Sequence, residues 1–288
     1  MKFSTLSTVF MAISATIFAQ NSTDTSDDVV IANIINGKAA STVQYPFISQ
    51  IFRDFGNKQF SFICTGSLID QNYIVTAGHC VNDENYNLLG SNLFKVYAGS
   101  ETLLSPTDKR LRTVTKIYTH GYSSKTPELD IAILKLSSPI TAAEATPVKF
   151  YAYKINDNLP VEVAGFGVTN YGSNTPSNQL LKTLISVSSS QNCTDYGVNW
   201  SSNSGPQICS ESYTGNDSCQ GDSGGPLVAK INGNRVLVGV TSWGTNKDSN
   251  SNVLCGENVI AYYTRSGYFL TWIASVLGVD YKKILATY

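Results

Sequence analysis

A succession of short runs rich in Val, Ile, Phe and Tyr, each closed off by Gly, Asn, Ser or Pro, sets the limits on this fold. In the first half they are Phe47 to Phe52, Phe60 to Ile63, Tyr73 to Thr76, Phe94 to Tyr97 and Ile131 to Leu136. In the second half they are Val161 to Ala164, Leu180 to Val187, Leu227 to Ile231 and Val236 to Ser242. Runs this short, punctuated at hairpin intervals, predict an all-β barrel or sandwich. Asn232-Gly233, between two apolar runs, is a hairpin turn signal because both residues accept a positive φ. The apolar period changes only near the end, where Phe269, Leu270, Ile273, Val276 and Leu277 recur at helical spacing. That predicts one C-terminal helix stopped by Gly278. The chain holds no repeat, coiled coil or low-complexity tract.

At 288 residues the chain is long enough for about two domains. Its 20 basic residues offset 21 acidic ones, which excludes a strongly basic nucleic-acid surface spread over the whole chain, and no Lys/Arg cluster stands out. With 42% hydrophobic residues a substantial core is available and wholesale disorder is excluded. Lys2, the apolar stretch Val9 to Ala19 and the small residue Ala19 read as a secretory signal peptide over residues 1–19. A spanning helix needs about 20 apolar residues, and Ser14 and Thr16 interrupt this stretch, so no membrane anchor is expected. The polar segment Asn21 to Asp28 has no periodicity and reads as part of a pro-segment over residues 20–33. The expectation is a secreted, extracellular protein. Cys64, Cys80, Cys193, Cys209, Cys219 and Cys255 form an even set behind the signal, which implies disulfides in an oxidising compartment but leaves their pairing open. None has CxxC spacing, so no metal site is expected. Sequons at Asn21, Asn192, Asn199 and Asn216 fit a glycoprotein.

Three stretches carry chemistry. In Gly221-Asp222-Ser223-Gly224-Gly225-Pro226 a serine is flanked by residues that cannot fill space but allow tight turns and close approach. The plainer reading is a turn before the strand at Leu227. In Thr76-Ala77-Gly78-His79-Cys80, His79 falls just past a strand end, where a lone histidine is more often structural. His79 and His120 are the only histidines, so imidazole chemistry has few places to reside. Asp130 opens the buried run Ile131 to Leu136, and a carboxylate at such a mouth is either an ordinary strand-end charge or one held by a partner.

Taken together, these stretches resemble the chymotrypsin-fold, trypsin-like serine proteases over Ile34 to Leu277. The order His79, Asp130, Ser223 is that family's order. Ile34-Ile35-Asn36-Gly37, Leu129-Asp130-Ile131-Ala132, Gly165-Phe166-Gly167 and Ser242-Trp243-Gly244 stand in sequence around it. The resemblance implies two packed six-stranded antiparallel β-barrels, over 34–140 and 141–265, with the site in the cleft between them, then a C-terminal α-helix and tail over 266–288. It implies Ser223 as nucleophile, His79 as its base, Asp130 as the group orienting His79, and the N–H groups of Gly221 and Ser223 as the oxyanion hole. It places Ser242, Trp243 and Gly244 along an extended substrate. It puts Asp217, beside Ser218, on the floor of a pocket for Arg or Lys. It pairs Cys64 with Cys80, Cys193 with Cys209, and Cys219 with Cys255. It also implies a zymogen in which a new amino group at Ile34 pairs with Asp222.

The chain departs from the family pattern in several places. Asn33, not Lys or Arg, precedes Ile34, which implies an activating protease of another specificity. Ala261 stands where a pocket-wall glycine is usual, and Thr245 to Leu254 is a longer segment than most relatives carry. Gly99 to Arg110 lacks the clustered acids of calcium-binding relatives, so no calcium is expected. Val279 to Tyr288 runs past the expected helix with no role assigned. The resulting expectation is a secreted, monomeric serine endopeptidase cleaving after Arg or Lys, without cofactor. Its partners are protein or peptide substrates and protein protease inhibitors, with no nucleic acid or membrane. The rivals are a non-catalytic homologue acting as a binding or decoy protein, and an active protease of chymotrypsin- or elastase-like specificity.

Overall fold

The computed structural model describes residues 34–193 and 200–287. The expected signal peptide 1–19 and pro-segment 20–33, with Asn33 and the sequons at Asn21 and Asn199, lie outside them. The chain opens on a two-residue strand, β1 (Lys38–Ala39), and then builds a six-stranded antiparallel barrel. Its strands are β2 (Ile48–Asp54), β3 (Phe60–Asp70), β4 (Tyr73–Thr76), β5 (Phe94–Ala98), β6 (Arg112–Thr119) and β7 (Ala132–Leu136). They run in the order β2-β3-β4-β7-β6-β5, and β2 closes the ring by pairing with β5 from Ser49↔Ala98 to Arg53↔Phe94. Closure removes the exposed edges that an open sheet would leave. Ile51, Leu68, Ile74, Val96, Ile133 and Leu134 are fully or almost fully buried in its core.

The second half supplies β8 (Pro160–Gly165), β9 (Leu181–Ser186), β10 (Gln207–Ser212), β11 (Pro226–Ile231), β12 (Asn234–Asn246) and β13 (Val259–Arg265). With β1 they form one sheet in the order β1-β9-β8-β11-β12-β13-β10. The sheet curls until β10 returns beside β9, where Ser188 N–H donates to Cys209 C=O at 3.0 Å and Ser210 Oγ to Ser186 C=O at 2.8 Å. The result agrees with the chymotrypsin-like two-barrel architecture. Val161, Val163, Leu227, Val238 and Tyr263 form its core. Asn232 and Gly233, at φ 49° and 81°, make the tight turn between β11 and β12. The helix α1 (Leu270–Leu277) follows, and Gly278 ends it at φ 69° with its N–H on Ser275 C=O.

The disulfides are Cys64–Cys80, Cys193–Cys209 and Cys219–Cys255. Each contributes ~2–4 kcal/mol, chiefly by restricting the unfolded chain. The segment after α1 has a structural job. Ile284, 5% exposed, enters the first barrel's core, and Ala286 packs on the second. Phe150 N–H donates to Ile284 C=O at 3.0 Å, and Ala286 N–H to Phe150 C=O at 3.1 Å. On its other side the connector between the barrels meets β12, where Tyr151 N–H donates to Leu237 C=O at 2.9 Å. The tail thus sandwiches the connector against the second sheet. Ile284→Ala is expected to lower the unfolding free energy by ~2–5 kcal/mol, the usual cost of emptying a buried Ile site. A denaturant melt within experimental error of the parent would contradict that role.

Candidate active site

Strands β4 and β7 are neighbours, with Thr76 opposite Ala132. That register brings together residues just beyond two strand ends, His79 and Asp130. His79 begins a short 3-10 turn (His79–Val81) whose Cys80 is bonded to Cys64 on β3, and Asp130 follows the turn Pro127–Leu129. Asp130 is 2% exposed, so its charge requires partners. Its Oδ1 accepts the His79 backbone N–H at 2.8 Å, and its Oδ2 lies 2.8 Å from His79 Nδ1. Ser242 Oγ also donates to Oδ2, and Thr264 Oγ1 donates to the Asp130 carbonyl at 2.7 Å.

Burial alone would lower the His79 pKa, but the charge and hydrogen bond of Asp130 outweigh it and hold it above its ordinary value. Burial likewise pushes the Asp130 carboxyl up, yet His79 and the Ser242 hydroxyl bring it below the usual carboxylate range. The hydroxyl of Ser242, which sequence reasoning placed only along the substrate, is therefore a support of Asp130. Nothing in the local sequence signals that role.

Ser223 lies in the turn that leads into β11. Gly224 sits at φ 79°, and a Cβ there would stand 2.0 Å from Thr76 Oγ1, so only glycine lets the turn press against the end of β4. Thr65 on β3 completes the clamp: its N–H donates to Ser223 C=O at 3.0 Å and its hydroxyl to Gly221 C=O at 2.8 Å. Within the turn, the N–H groups of Asp222, Gly224 and Gly225 donate to Cys219, Thr241 and Asp222 carbonyls at 2.8–2.9 Å. Those of Gly221, at φ 96°, and Ser223 donate to no group among the described residues.

His79 and Ser223 line one cavity of about 500 Å³, without a direct hydrogen bond between them. Ser218, Thr241, Trp243 and Ala261 line it too. Asp217 does not. It lies one layer deeper, 2% exposed, where its carboxylate accepts Ser218 N–H at 2.8 Å and Gly256 N–H at 3.0 Å. Burial pushes its carboxyl up to about 7. Strand β11 covers β12 only as far as Val240; beyond it, Trp243 and Gly244 pair with β13 on one side alone. Thr245 to Leu254 continues β12 and then braces the rim. Lys247 is ion-paired with Glu211 at 2.6 Å over the Tyr213 ring, and Leu254 reaches the cavity.

Asp222 is fully buried and, among the described residues, accepts only the N–H groups of Gly167 and Cys219, at 2.8 and 3.0 Å. Burial pushes its carboxyl up to about 7. Ile34 is also fully buried, in a left-handed backbone conformation at φ 49° that a β-branched residue adopts at a cost. Cys64 and Cys80 lie near His79, but their sulfurs are tied up in a disulfide and are not metal ligands. Of the described sequons, Asn192 donates its amide to Glu211 at 2.8 Å.

The Trypsin family model matches residues 34–273. The chain is 32% identical over 246 residues to Trypsin-1 of Astacus astacus, an alignment covering 83% of this chain and 98% of that one. It is 33% identical over 252 residues to Transmembrane protease serine 11G of Mus musculus, covering 85% of this chain and 55% of the relative. It is 27% identical over 264 residues to Urokinase-type plasminogen activator of Gallus gallus, covering 87% and 58%.

Proposed function

Because the chain belongs to the trypsin family and is a serine endopeptidase, we propose that it hydrolyses peptide bonds after Arg or Lys, with Ser223, His79 and Asp130 as its catalytic residues. The observation that carries this reading is the convergence, at one cavity, of Ser223 and the His79–Asp130 pair, with the uncommitted N–H groups of Ser223 and of Gly221 in the same turn. Ser223 Oγ attacks the carbonyl carbon while His79 Nε2 takes its proton. The resulting oxyanion accepts the two N–H groups, a contribution of ~3–4 kcal/mol per donor in reactions of this kind. His79 then returns the proton to the nitrogen of the departing amine as the C–N bond breaks. Water, deprotonated by His79, attacks the acyl-enzyme, and the proton goes back to Ser223 Oγ. The unpaired edge at Trp243 and Gly244 suits an extended peptide added as a strand. His79 acts as a base only when neutral, so its raised pKa places the acid limb of the activity profile above 6.5.

Arg/Lys specificity rests on Asp217, a carboxylate buried behind the cavity lining without a cation among the described residues. The cavity lining itself favours a second reading, because Ala261 and Leu254 line the cavity and Asp217 does not. The deciding assay uses protein whose N-terminus is confirmed as Ile34, beside its Ser223→Ala variant. The peptides differ only at the residue before the cut: Arg, Lys, Phe, Leu or Ala. Cleavage after Arg or Lys that disappears in the variant supports the proposal, and cleavage after Phe or Leu replaces it with a chymotrypsin-like specificity. No cleavage by processed protein overturns the catalytic reading in favour of a binding homologue.

Asp222 supports processing after Asn33, since a new ammonium at Ile34 would supply the cation it lacks. A carboxyl whose folded pKa is about 7 lies above its unfolded value, so it stabilises at low pH and loses that contribution as pH rises through 7. The unprocessed chain is therefore expected to lose stability from about pH 4 to about pH 7. The form starting at Ile34 keeps more of it, until the ammonium itself titrates. Asp217 is common to both forms and cancels in the comparison. Parallel stability curves for the two forms in urea would count against the Ile34–Asp222 pair. Secretion follows from the reading of residues 1–19, and no helix among the described residues is long and apolar enough to cross a membrane.

A further inference from the structure

A second cavity, of about 450 Å³, lies between the ends of β9 and β10 and shares no lining residue with the catalytic one. Its size is that of a small-molecule site, about 300–1,000 Å³. Among the described residues Glu211 is the one charged member of its lining, and Lys247 already neutralises that carboxylate at 2.6 Å. The rest of the wall is hydroxyl, amide and apolar side chains, so the cavity favours neither an anion nor a cation.

Several groups there have bonding capacity to spare. Ser212 is 5% exposed, and its Oγ has no hydrogen-bond partner among the described residues. A buried hydroxyl left this way costs free energy unless a bound group satisfies it. The Glu211 carboxylate accepts the Tyr213 hydroxyl, Lys247 and the Asn192 amide, which leaves one of its roughly four acceptor positions open. Lys247 covers one face of the Tyr213 ring at 3.6 Å from the centroid, and the side chain is still 63% exposed. A neutral ligand with several hydroxyls and an apolar ring face, a sugar, matches these groups.

Two sequon asparagines, Asn192 and Asn216, open onto this same cavity. Asn192 is committed to the wall, since its amide holds Glu211 at 2.8 Å. The Asn216 side chain hydrogen-bonds to no group among the described residues. We propose that Asn216 is glycosylated and that the first sugar of its glycan seats in this cavity, against the Tyr213 ring and the Ser212 and Glu211 oxygens. The inference rests on the secretory reading of residues 1–19. Asp217 and Ser218, the rest of the sequon, are 2% and 7% exposed, so the folded chain hides it from a transferase. The sugar is therefore added before folding. The Asn216 amide nitrogen bonds to the anomeric carbon of a saccharide carried on a lipid diphosphate, an amide proton is lost, and the lipid diphosphate departs. Folding then closes the ends of β9 and β10 around the sugar.

The test uses the full chain secreted by a eukaryotic host cell. Glycans are released in heavy-oxygen water by an amidase that cuts the sugar–asparagine bond, which leaves a labelled aspartate at each former site for mass spectrometry. Asn216 is expected to be labelled in most molecules and Asn192 to be unlabelled. The seat is read from the rate at which the same amidase releases the Asn216 glycan from native protein. Tyr213→Ala should raise that rate about tenfold, the size of effect that one aromatic contact supplies. Tyr213→Phe keeps the ring and should stay within about twofold of the parent. Denatured samples of all three should be cut at one rate, so a difference seen only in native protein comes from the fold. Secreted protein with Asn216 unlabelled, or with Asn192 labelled in its place, overturns the proposal and leaves the secretory reading intact. An unchanged native rate in Tyr213→Ala overturns the seat. A chain that never leaves the cell overturns both the secretory reading and the proposal.

Discussion

Ser223→Ala is expected to lower kcat by on the order of 10⁶-fold on every peptide the parent cleaves, the scale found when Ser-His-Asp constellations lose their nucleophile. Asp130→Asn should cost ~10⁴-fold, because an amide in that place no longer fixes the imidazole in the acceptor form. The structure adds a reason particular to this chain. Asp130 is bound through both oxygens to His79, and it also receives the Ser242 hydroxyl and is anchored through its carbonyl by Thr264. The asparagine variant keeps most of that scaffold, so it should fold normally while losing turnover, and its activity should no longer report the parent's acid limb. Near-parent rates for either variant would remove these residues from the reaction. Circular dichroism and a thermal melt on the same samples separate a chemical defect from a folding one.

The second large effect is expected at Asp217. Asp217→Ser should reduce kcat/KM for peptides cut after Arg or Lys by ~10²–10⁴-fold, the range seen when one member of a buried charge pair is truncated. Cleavage after Leu or Phe should change far less. Its carboxyl stands near 7 with no cation beside it among the described residues, so at neutral pH it is a mixture of protonated and ionised forms. An entering ammonium or guanidinium favours the ionised form. KM for a Lys or Arg peptide should therefore fall as pH rises from 6 to 8, and KM for a Leu peptide should not follow it. If Asp217→Ser leaves Arg cleavage untouched, its carboxylate serves only to tie down Ser218 and Gly256.

Much of the site was legible because the chemistry demands particular residues at turns. The Ser223 turn needs glycine at Gly221 and Gly224, and His79 and Asp130 both follow strands whose apolar runs are unmistakable. Two of the strands that escaped have little apolar contrast. β6 buries only Val114 fully, and β10 (Gln207–Ser212) holds Ser and Glu whose bonds to Ser186 and Ser188 lie far away in sequence. β13 is apolar but follows the Thr245–Leu254 insertion, which obscures its start. The depth of Asp217 was not legible either. Sequence offset from Ser223 assigns it to a place along the chain, but only packing decides which side chains reach the cavity surface. The same holds for Ser242, whose part depends on a contact that spans 112 residues.

The tail that closes over Phe150 also has a bearing on timing. Lys149 and Lys283, joined side chain to backbone, are 134 residues apart, and Phe150 finds its tail partners at Ile284 and Ala286. Contacts so distant along the chain pay their loop-closure cost before returning any stability, so they form late. A growing chain can therefore close its first barrel early, yet it has no means of fastening the connector until residue 286 has left the ribosome. The finished cleft therefore waits on the tail, however early the first barrel closes.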